Sequence, residues 1–425
     1  MRISLSLFLC LFAGSLAAAP AAGPVLTLER AESRSLQNHP SLADLEARIR
    51  GAERRAVAEG TLSDPRMSVG LSNVPTDTFA LDQEPMTQVQ VGLHQDFPAP
   101  GTLALRERRA QEKGEAYRWK RADTRAELVR RVRKAWLERF YLDRALAVVE
   151  ENLALFEELL AIARSQYRVG KGLQQEVLLA NLERDKLLDK RAELERRKAT
   201  ADSRLANLLA GREGRFRLPD ALPELPDPPA REALAKGLAD HPSVQSMEAR
   251  IQRRRTGVDL AEKAYYPDMG VDFVYGHRPG SEPDGGAWAD FVTARFRMSL
   301  PIFNQAKHDG MLAAALAERD ALERQRRTML LDLRSTARSK RAALEAARER
   351  VALFEDTILP ESEQTVEASV AAYTTGRLGF LDLVRARIED FQHQLDLWRL
   401  RVDAEQAKAD LLYLAAGGKG AGHAD

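Results

Sequence analysis

The sequence predicts a mainly α-helical protein made of two copies of one unit, each holding a long coiled-coil hairpin and two short strands. Three observations predict it. An ordered set of residues recurs about 202 positions downstream, long stretches lacking Gly and Pro carry a 3.5-residue apolar period, and four short segments alternate apolar and polar residues. Length alone, 425 residues, would suggest two or three globular domains. The repeat argues instead for one elongated, duplicated body.

The N-terminus comes first in chain order. Arg2 precedes an uncharged stretch that lasts to Glu29, with an apolar core at Leu5 to Leu16 and small residues from Ala17 to Ala22. This is the pattern of a secretory signal peptide, assigned to residues 1–22 with cleavage around Ala21 to Gly23. The single cysteine, Cys10, lies in that core without the small-residue context of lipoprotein processing, so the mature chain is expected to lack cysteine and a lipid anchor.

The first repeat is assigned to 23–217. It opens with a short helix over about 28–38, stopped by Pro40, because the residue before proline is pushed out of the helical region. A helix over about 40–62 follows, with Pro40 in its first turn. Strands are expected over about 67–74 and 87–97, then a very long helix over about 99–169. Gly170-Lys171-Gly172 breaks it, and a last helix covers about 173–210. The Pro-rich stretch 218–229 reads as a linker. The second repeat, 230–417, gives helices over about 230–239 and 242–263, strands over about 268–276 and 289–300, and helices over about 304–375 and 380–416. Residues 418–425 read as a flexible tail.

The repeat rests on landmarks kept in order. Asn38-His39-Pro40-Ser41 recurs as Asp240-His241-Pro242-Ser243, Glu46-Ala47-Arg48-Ile49 as Glu248-Ala249-Arg250-Ile251, and Pro65, Met67 and Val69 as Pro267, Met269 and Val271. Pro98 matches Pro301, Tyr167 with Gly170 matches Tyr373 with Gly376, and Leu208 with Gly211 matches Leu414 with Gly417. The offset drifts only from 202 to 206, which points to a pseudo-symmetric body.

In the first long helix, positions 128, 132, 135, 139, 142, 146, 149, 153, 156, 160, 163 and 167 step by four and three, and only Arg139 breaks the apolar seam. The second copy runs through Leu330, Leu333, Ala337, Leu344, Ala347, Val351, Phe354 and Ile358, interrupted at Lys340. Such a period means sustained side-by-side helix packing, here as two helical hairpins, with rods of roughly 105 Å. Pro360 is expected to kink the second rod.

The strands alternate cleanly. Val292, Ala294, Phe296, Met298 and Leu300 oppose Thr293, Arg295, Arg297 and Ser299; Met269, Val271, Phe273 and Tyr275 oppose Asp268, Gly270 and Asp272. Met67, Val69 and Leu71 oppose Ser68, Gly70 and Ser72, and Val89, Val91 and Leu93 oppose Gln88, Gln90 and His94. Alternation alone fits equally a small amphipathic sheet packed on helices and a membrane β-barrel with apolar residues outward. Tyr265, Tyr266, Trp288 and Phe291 would form interfacial girdles. Four strands cannot close a barrel, and lipid forbids open edges, so the barrel reading needs three chains and twelve strands. Arg295 and Arg297 would then line the lumen.

Composition excludes other classes. With 64 Lys+Arg against 63 Asp+Glu there is no net basic field for nucleic acid. No stretch beyond residue 29 is long and apolar enough for a membrane helix. No nucleophile elbow, phosphate loop, dinucleotide loop or His-Glu-x-x-His motif proposes an enzyme, and the seven His residues show no metal-ligand spacing, so no cofactor is expected.

The duplicated Asn/Asp-His-Pro-Ser openings, the Tyr167-Arg168-Val169-Gly170 and Tyr373-Thr374-Thr375-Gly376 tips, and the terminal Leu-Leu-Ala-Gly and Leu-Ala-Ala-Gly tracts carry a resemblance. Over essentially its whole mature length the chain resembles the TolC-like outer-membrane efflux proteins. Gln95-Asp96-Phe97-Pro98-Ala99-Pro100-Gly101-Thr102-Leu103 is similar to the run in the heavy-metal-efflux branch, with Thr102 where Lys is usual. The resemblance implies a homotrimer in the outer membrane, its periplasmic tips docked on an adaptor and an inner-membrane pump. The cargo would be small solutes, metal cations being the class the branch suggests. It also implies adaptor docking at Val169, Gly170, Lys171, Thr375, Gly376 and Arg377. Glu176 and Asp382, each six residues after a tip glycine, are candidates for a constriction ring with Arg377 and Arg385 as partners. A plain helix-turn-helix tip with first-turn acids favoured by the helix dipole gives the same residues. The other class of function is a secreted or periplasmic coiled-coil scaffold or adaptor without a channel.

Overall fold

The computed structural model describes residues 25–37, 39–211 and 216–417. The expected leader, Asn38 and the 418–425 tail lie outside the described residues. In chain order the elements are α1 (Leu28–Leu36), α2 (Pro40–Gly60), β1 (Arg66–Ser72), β2 (Gln88–Phe97), α3 (Thr102–Arg168), α4 (Gln174–Leu208), α5 (Arg231–Gly237), α6 (Pro242–Lys263), β3 (Met269–His277), β4 (Phe291–Met298), α7 (Gln305–Leu353), α8 (Leu359–Thr374) and α9 (Phe380–Leu414). A 3-10 turn, Leu238–Asp240, follows α5, and a π-helical turn, Phe354–Ile358, joins α7 to α8.

The long helix starts at Thr102 rather than near residue 99, because Gly101 takes a left-handed conformation (φ 84°) after the two prolines at 98 and 100. The break at Pro360 takes the form of the π turn. Proline has no N–H to give the preceding turn and its ring crowds the carbonyl four residues back, so a wider turn forms just before it.

Eleven of the twelve seam positions of α3 are buried, from Leu128 to Ala163; the twelfth, Tyr167, is about half exposed at the helix end. The seam serves more than one hairpin partner. α3 packs against α2, α4, α6 and α9, so it is the central post of both copies rather than one arm of a separate hairpin. By contrast α7 buries only Ala337, Leu344 and Ala347, leaving Met311, Leu331 and Leu353 exposed. The seam-breaking Arg139 is buried and answered by Asp143 on its own helix and by Asp202 of α4 at 2.5 Å. The other break, Lys340, lies 2.9 Å from Asp410 of α9, which also holds Lys134 at 3.1 Å and Arg130 at 3.0 Å from α3. Burial alone would raise the Asp410 carboxyl, but Lys340 and Lys134 outweigh it and hold the group below the ordinary carboxylate value.

The 218–229 stretch forms no helix or strand and is strapped to α9. Leu225 is buried, its N–H donates to Glu405 at 2.7 Å, and its carbonyl accepts from Lys408 at 3.4 Å. The repeated His-Pro-Ser motifs cap α2 and α6, each ring Nδ1 accepting from the Ser N–H at 3.3 Å. His241 is fully buried, and its Nε2–H donates to the Tyr413 carbonyl at 3.1 Å. A side chain at Gly417 would come within 2.6 Å of the Asp240 carbonyl oxygen, so this glycine lets the end of the second repeat close on its beginning.

All four strands form one antiparallel sheet in the order β1-β2-β3-β4, the two copies meeting at β2–β3. The register aligns polar residues on one face, with the rows Arg66–His94–Asp272–Arg295 and Ser68–Gly92–Val274–Thr293. The other face carries Met67, Val69, Leu71, Val91, Leu93, Phe273, Tyr275, Val292, Phe296 and Met298, all largely exposed. Among the described residues no helix covers that face. Among the described residues no helix is long and apolar enough to cross a membrane.

Two measurements follow from these contacts. Burial lowers the His241 pKa below its ordinary 6.5. Above about pH 6.5 the ring is neutral whether folded or unfolded, and below it the unfolded chain takes up the proton first. Thermal unfolding in detergent should therefore show stability falling as pH drops below about 6.5, with a flatter slope in His241→Asn, which keeps a capping side chain. Asp410→Asn leaves three partly exposed cations around a neutral amide, and denaturant unfolding should show a loss of about 2 kcal/mol.

Candidate functional site

The residues singled out from the sequence fall at the two ends of the molecule, the helix tips and the polar face of the sheet. The tips are built alike. At the first, the Gly170 N–H donates to the Tyr167 carbonyl (3.1 Å) and the Lys171 N–H to the Gln166 carbonyl (2.9 Å). At the second, Gly376 donates to Tyr373 (3.0 Å) and Arg377 to Ala372 (2.9 Å). Both glycines have φ 71°, the left-handed helix stop that satisfies the last carbonyls. Val169, Gly170, Lys171, Thr375, Gly376 and Arg377 are all exposed, and Leu173, Leu178 and Leu182 extend an apolar surface from the first tip along α4.

The tips lie side by side. Phe380, Leu383 and Val384 of the second share one apolar cluster with Val177 and Ala180 of the first. Burial, with the Glu176 charge nearby, raises the Tyr373 phenol above its ordinary value. The two candidate acids, equivalent in the sequence, differ in the structure. Glu176 turns back to accept the Leu173 N–H at 3.2 Å, the carboxylate half of a capping box, while its own N–H donates to the Leu173 carbonyl at 3.1 Å. Asp382 caps no backbone group; it is exposed, with Arg385 at 3.5 Å. Arg377 is exposed on the turn before it.

At the sheet, Arg295 and Arg297 both lie on the polar face. Arg297 pairs with Asp272 at 2.9 Å and reaches Asp96 at 3.8 Å. His94 sits between those carboxylates, Nε2 being 2.7 Å from Asp96 and Nδ1 in contact with Asp272, and Arg66 pairs with Asp96. Below this group a hollow of about 840 Å³ opens between the strand ends and the first turns of α3, lined among others by Asp96, Arg106, Asp268 and Arg297. The alternation marked His94 and Asp272 as polar-face positions; only the register across the two copies shows that they meet. Among the described residues no three His, Cys, Asp or Glu side chains are placed to hold a metal ion.

A family model described as outer membrane efflux protein matches residues 32–211 and again 233–418. The chain is 26% identical over 174 residues to the cobalt-zinc-cadmium resistance protein CzcC of Cupriavidus metallidurans, a match of 41% of this chain and 40% of that protein. It thus spans about two-fifths of the length of this curated relative. Among solved structures, CusC superposes with a TM-score of 0.78 at 16% identity over 95% of this chain and 96% of that one. VceC of Vibrio cholerae does so with 0.76 at 18% identity, over 92% and 96%. These superpositions show the fold.

The contrast between the tip acids has a direct readout. Glu176→Ala frees the Leu173 N–H and costs about 1 kcal/mol of local capping. Amide exchange should therefore quicken at the first tip, while Asp382→Ala leaves exchange at the second tip unchanged.

Proposed function

The chain belongs to the outer membrane efflux protein family, and from that premise we propose that three copies form an outer-membrane duct exporting small solutes from the periplasm. The observation that carries this reading is a four-stranded sheet with one polar face and, among the described residues, one uncovered apolar face and two unpaired edge strands, β1 and β4. Moving its ten exposed apolar side chains from water into lipid is worth on the order of 10 kcal/mol per chain. Unpaired edges in lipid cost several kcal/mol for each open backbone group, so a lone sheet cannot enter. Four strands from each of three chains, joined β4 to β1, close a twelve-stranded barrel with no edges.

The same threefold gathers the helices into a tube. The sparsely buried α7 offers its open side to a neighbouring copy, as a protomer-to-protomer face requires. At ~1.5 Å per residue the 67 residues of α3 reach roughly 100 Å into the periplasm. The exposed tips are the docking surface for a periplasmic adaptor and, through it, an inner-membrane pump. Asp382, exposed and free of any capping role, is the better constriction residue of the two acids, with Arg385 and Arg377 as its partners. Threefold symmetry turns it into a ring of carboxylates that favours cations at the closed end. The name of CzcC puts metal cations first among the cargo classes to be tested. The conduit needs no catalytic group.

Envelope fractionation and bilayer recording test this reading together. The mature chain should resist carbonate extraction, cross-link as a trimer and form conductance steps that grow in Asp382→Ala. A chain that washes out of envelopes would instead be a periplasmic scaffold. Deleting the gene and challenging cells with metals and drugs would name the cargo by the tolerance that drops.

A further inference from the structure

The edge strands are short for the bilayer that the duct would cross. β1 has 7 residues and β4 has 8. At ~3.3 Å per residue and a tilt of about 40°, they rise roughly 18 and 20 Å against an apolar band of about 25 Å. The apolar surface does not stop with them. On the helix side of β4, Leu300, Ile302 and Phe303 are all exposed, Phe303 at 91%, and among the described residues nothing covers them. We infer that these three side chains seat in the inner leaflet, with Phe303 at its periplasmic boundary, so that this loop sets how deep the sheet sits. The inference rests on the duct reading above and adds to it a lipid-anchoring site outside the strands.

The backbone of the loop permits it. The Ser299 N–H donates to the Asp268 carbonyl at 2.9 Å and the Asp268 N–H to the Ser299 hydroxyl at 2.8 Å, so the pairing of β3 with β4 runs on past the strands. Pro301 has no N–H to leave unpaired in lipid. Leu300 keeps the parity of Phe296 and Met298. Carrying the tilted strand on to Leu300 adds about 5 Å, which is the height that β4 lacks.

Neighbouring side chains mark a polar boundary at the same level. Continuing the register of Met269 with Met298 sets Tyr266 level with Pro301. Tyr266 is exposed, and the Lys263 ammonium lies 5.0 Å from its ring centre. Lys307 is exposed on the first turn of α7, just past Phe303. Aromatic rings with cations on their aqueous side suit the headgroup layer.

The duplication isolates the feature. Pro98 and Pro301 are matched landmarks, so Ile302 and Phe303 stand where the first copy has Ala99 and Pro100. Ala99 is buried. The fold shared by the two copies therefore has no need of two large, exposed apolar side chains here; lipid beside an edge strand does.

The test uses the mature chain, residues 23–425, which contains no cysteine, so each substitution introduces a single thiol. Phe296→Cys, Phe303→Cys and Lys307→Cys are labelled with a nitroxide and reconstituted in vesicles of phosphatidylethanolamine and phosphatidylglycerol. Collision with oxygen, which enters lipid, is compared with collision with a nickel chelate, which stays in water. The oxygen-to-chelate ratio should be highest in Phe296→Cys, and in Phe303→Cys several-fold above that in Lys307→Cys. A label in Phe303→Cys as open to the chelate as the one in Lys307→Cys overturns the anchor and leaves the duct standing. A label there shut off from both reagents means that a neighbouring copy covers the loop, and overturns the anchor too. If the label in Phe296→Cys is itself open to the chelate or shut off from both, the lipid-facing sheet fails, and the duct and the anchor with it.

Discussion

The long helices are held in register by charges placed inside their apolar seams. Asp410 of α9 takes Arg130 and Lys134 from α3 and Lys340 from α7, joining three helices through one buried carboxylate. Arg139 does the same between α3 and α4 through Asp202. A buried ion pair gives little net stability over an apolar contact of the same size, but an unpaired buried charge is costly. An apolar heptad seam tolerates sliding by a repeat, whereas these pairs do not. The sheet depends on that choice, because β2 leads directly into α3 and β3 follows α6, which packs along the same helix. The alignment of His94 with Asp272 across the two copies is thus fixed by helices as well as by strand hydrogen bonds.

Two surfaces of opposite character come out of one alternation. Each strand places apolar side chains on one side and polar ones on the other, and the antiparallel register keeps those sides consistent across all four strands. A soluble sheet would cover its apolar side with a helix. Here the helices are committed to one another below the sheet, and among the described residues both edges stay open. The isolated chain therefore carries two unmet demands, for lipid on the apolar side and for copies of itself along the edges.

Much of this was legible in the sequence because it rests on local periodicity. The seam from Leu128 to Ala163, the tip glycines at 170 and 376 and the strand alternation are each set by spacing within a few residues. What could not be read depends on pairing across the chain. Equal spacing made Glu176 and Asp382 look alike, yet only Glu176 closes on its own backbone at Leu173. The two seam breaks, Arg139 and Lys340, looked like flaws until their partners from α4 and α9 were in place. The role of α3 as a post shared by both copies was hidden for the same reason: a heptad stripe shows that a helix packs, not against how many neighbours.

The π turn before Pro360 has a meaning for the duplication itself. From Gln305 to Thr374 the second copy uses three more residues than α3. Carried as straight α-helix, that surplus would push one tip ~4.5 Å past the other and swing its face around the axis. The wider turn takes up part of the excess as local unwinding, and the two tips still meet around Phe380 and Val177. A length difference between two diverging halves has thus been stored within the rod, nearer the tip than the sheet, as a change of pitch, leaving the ends free to stay matched.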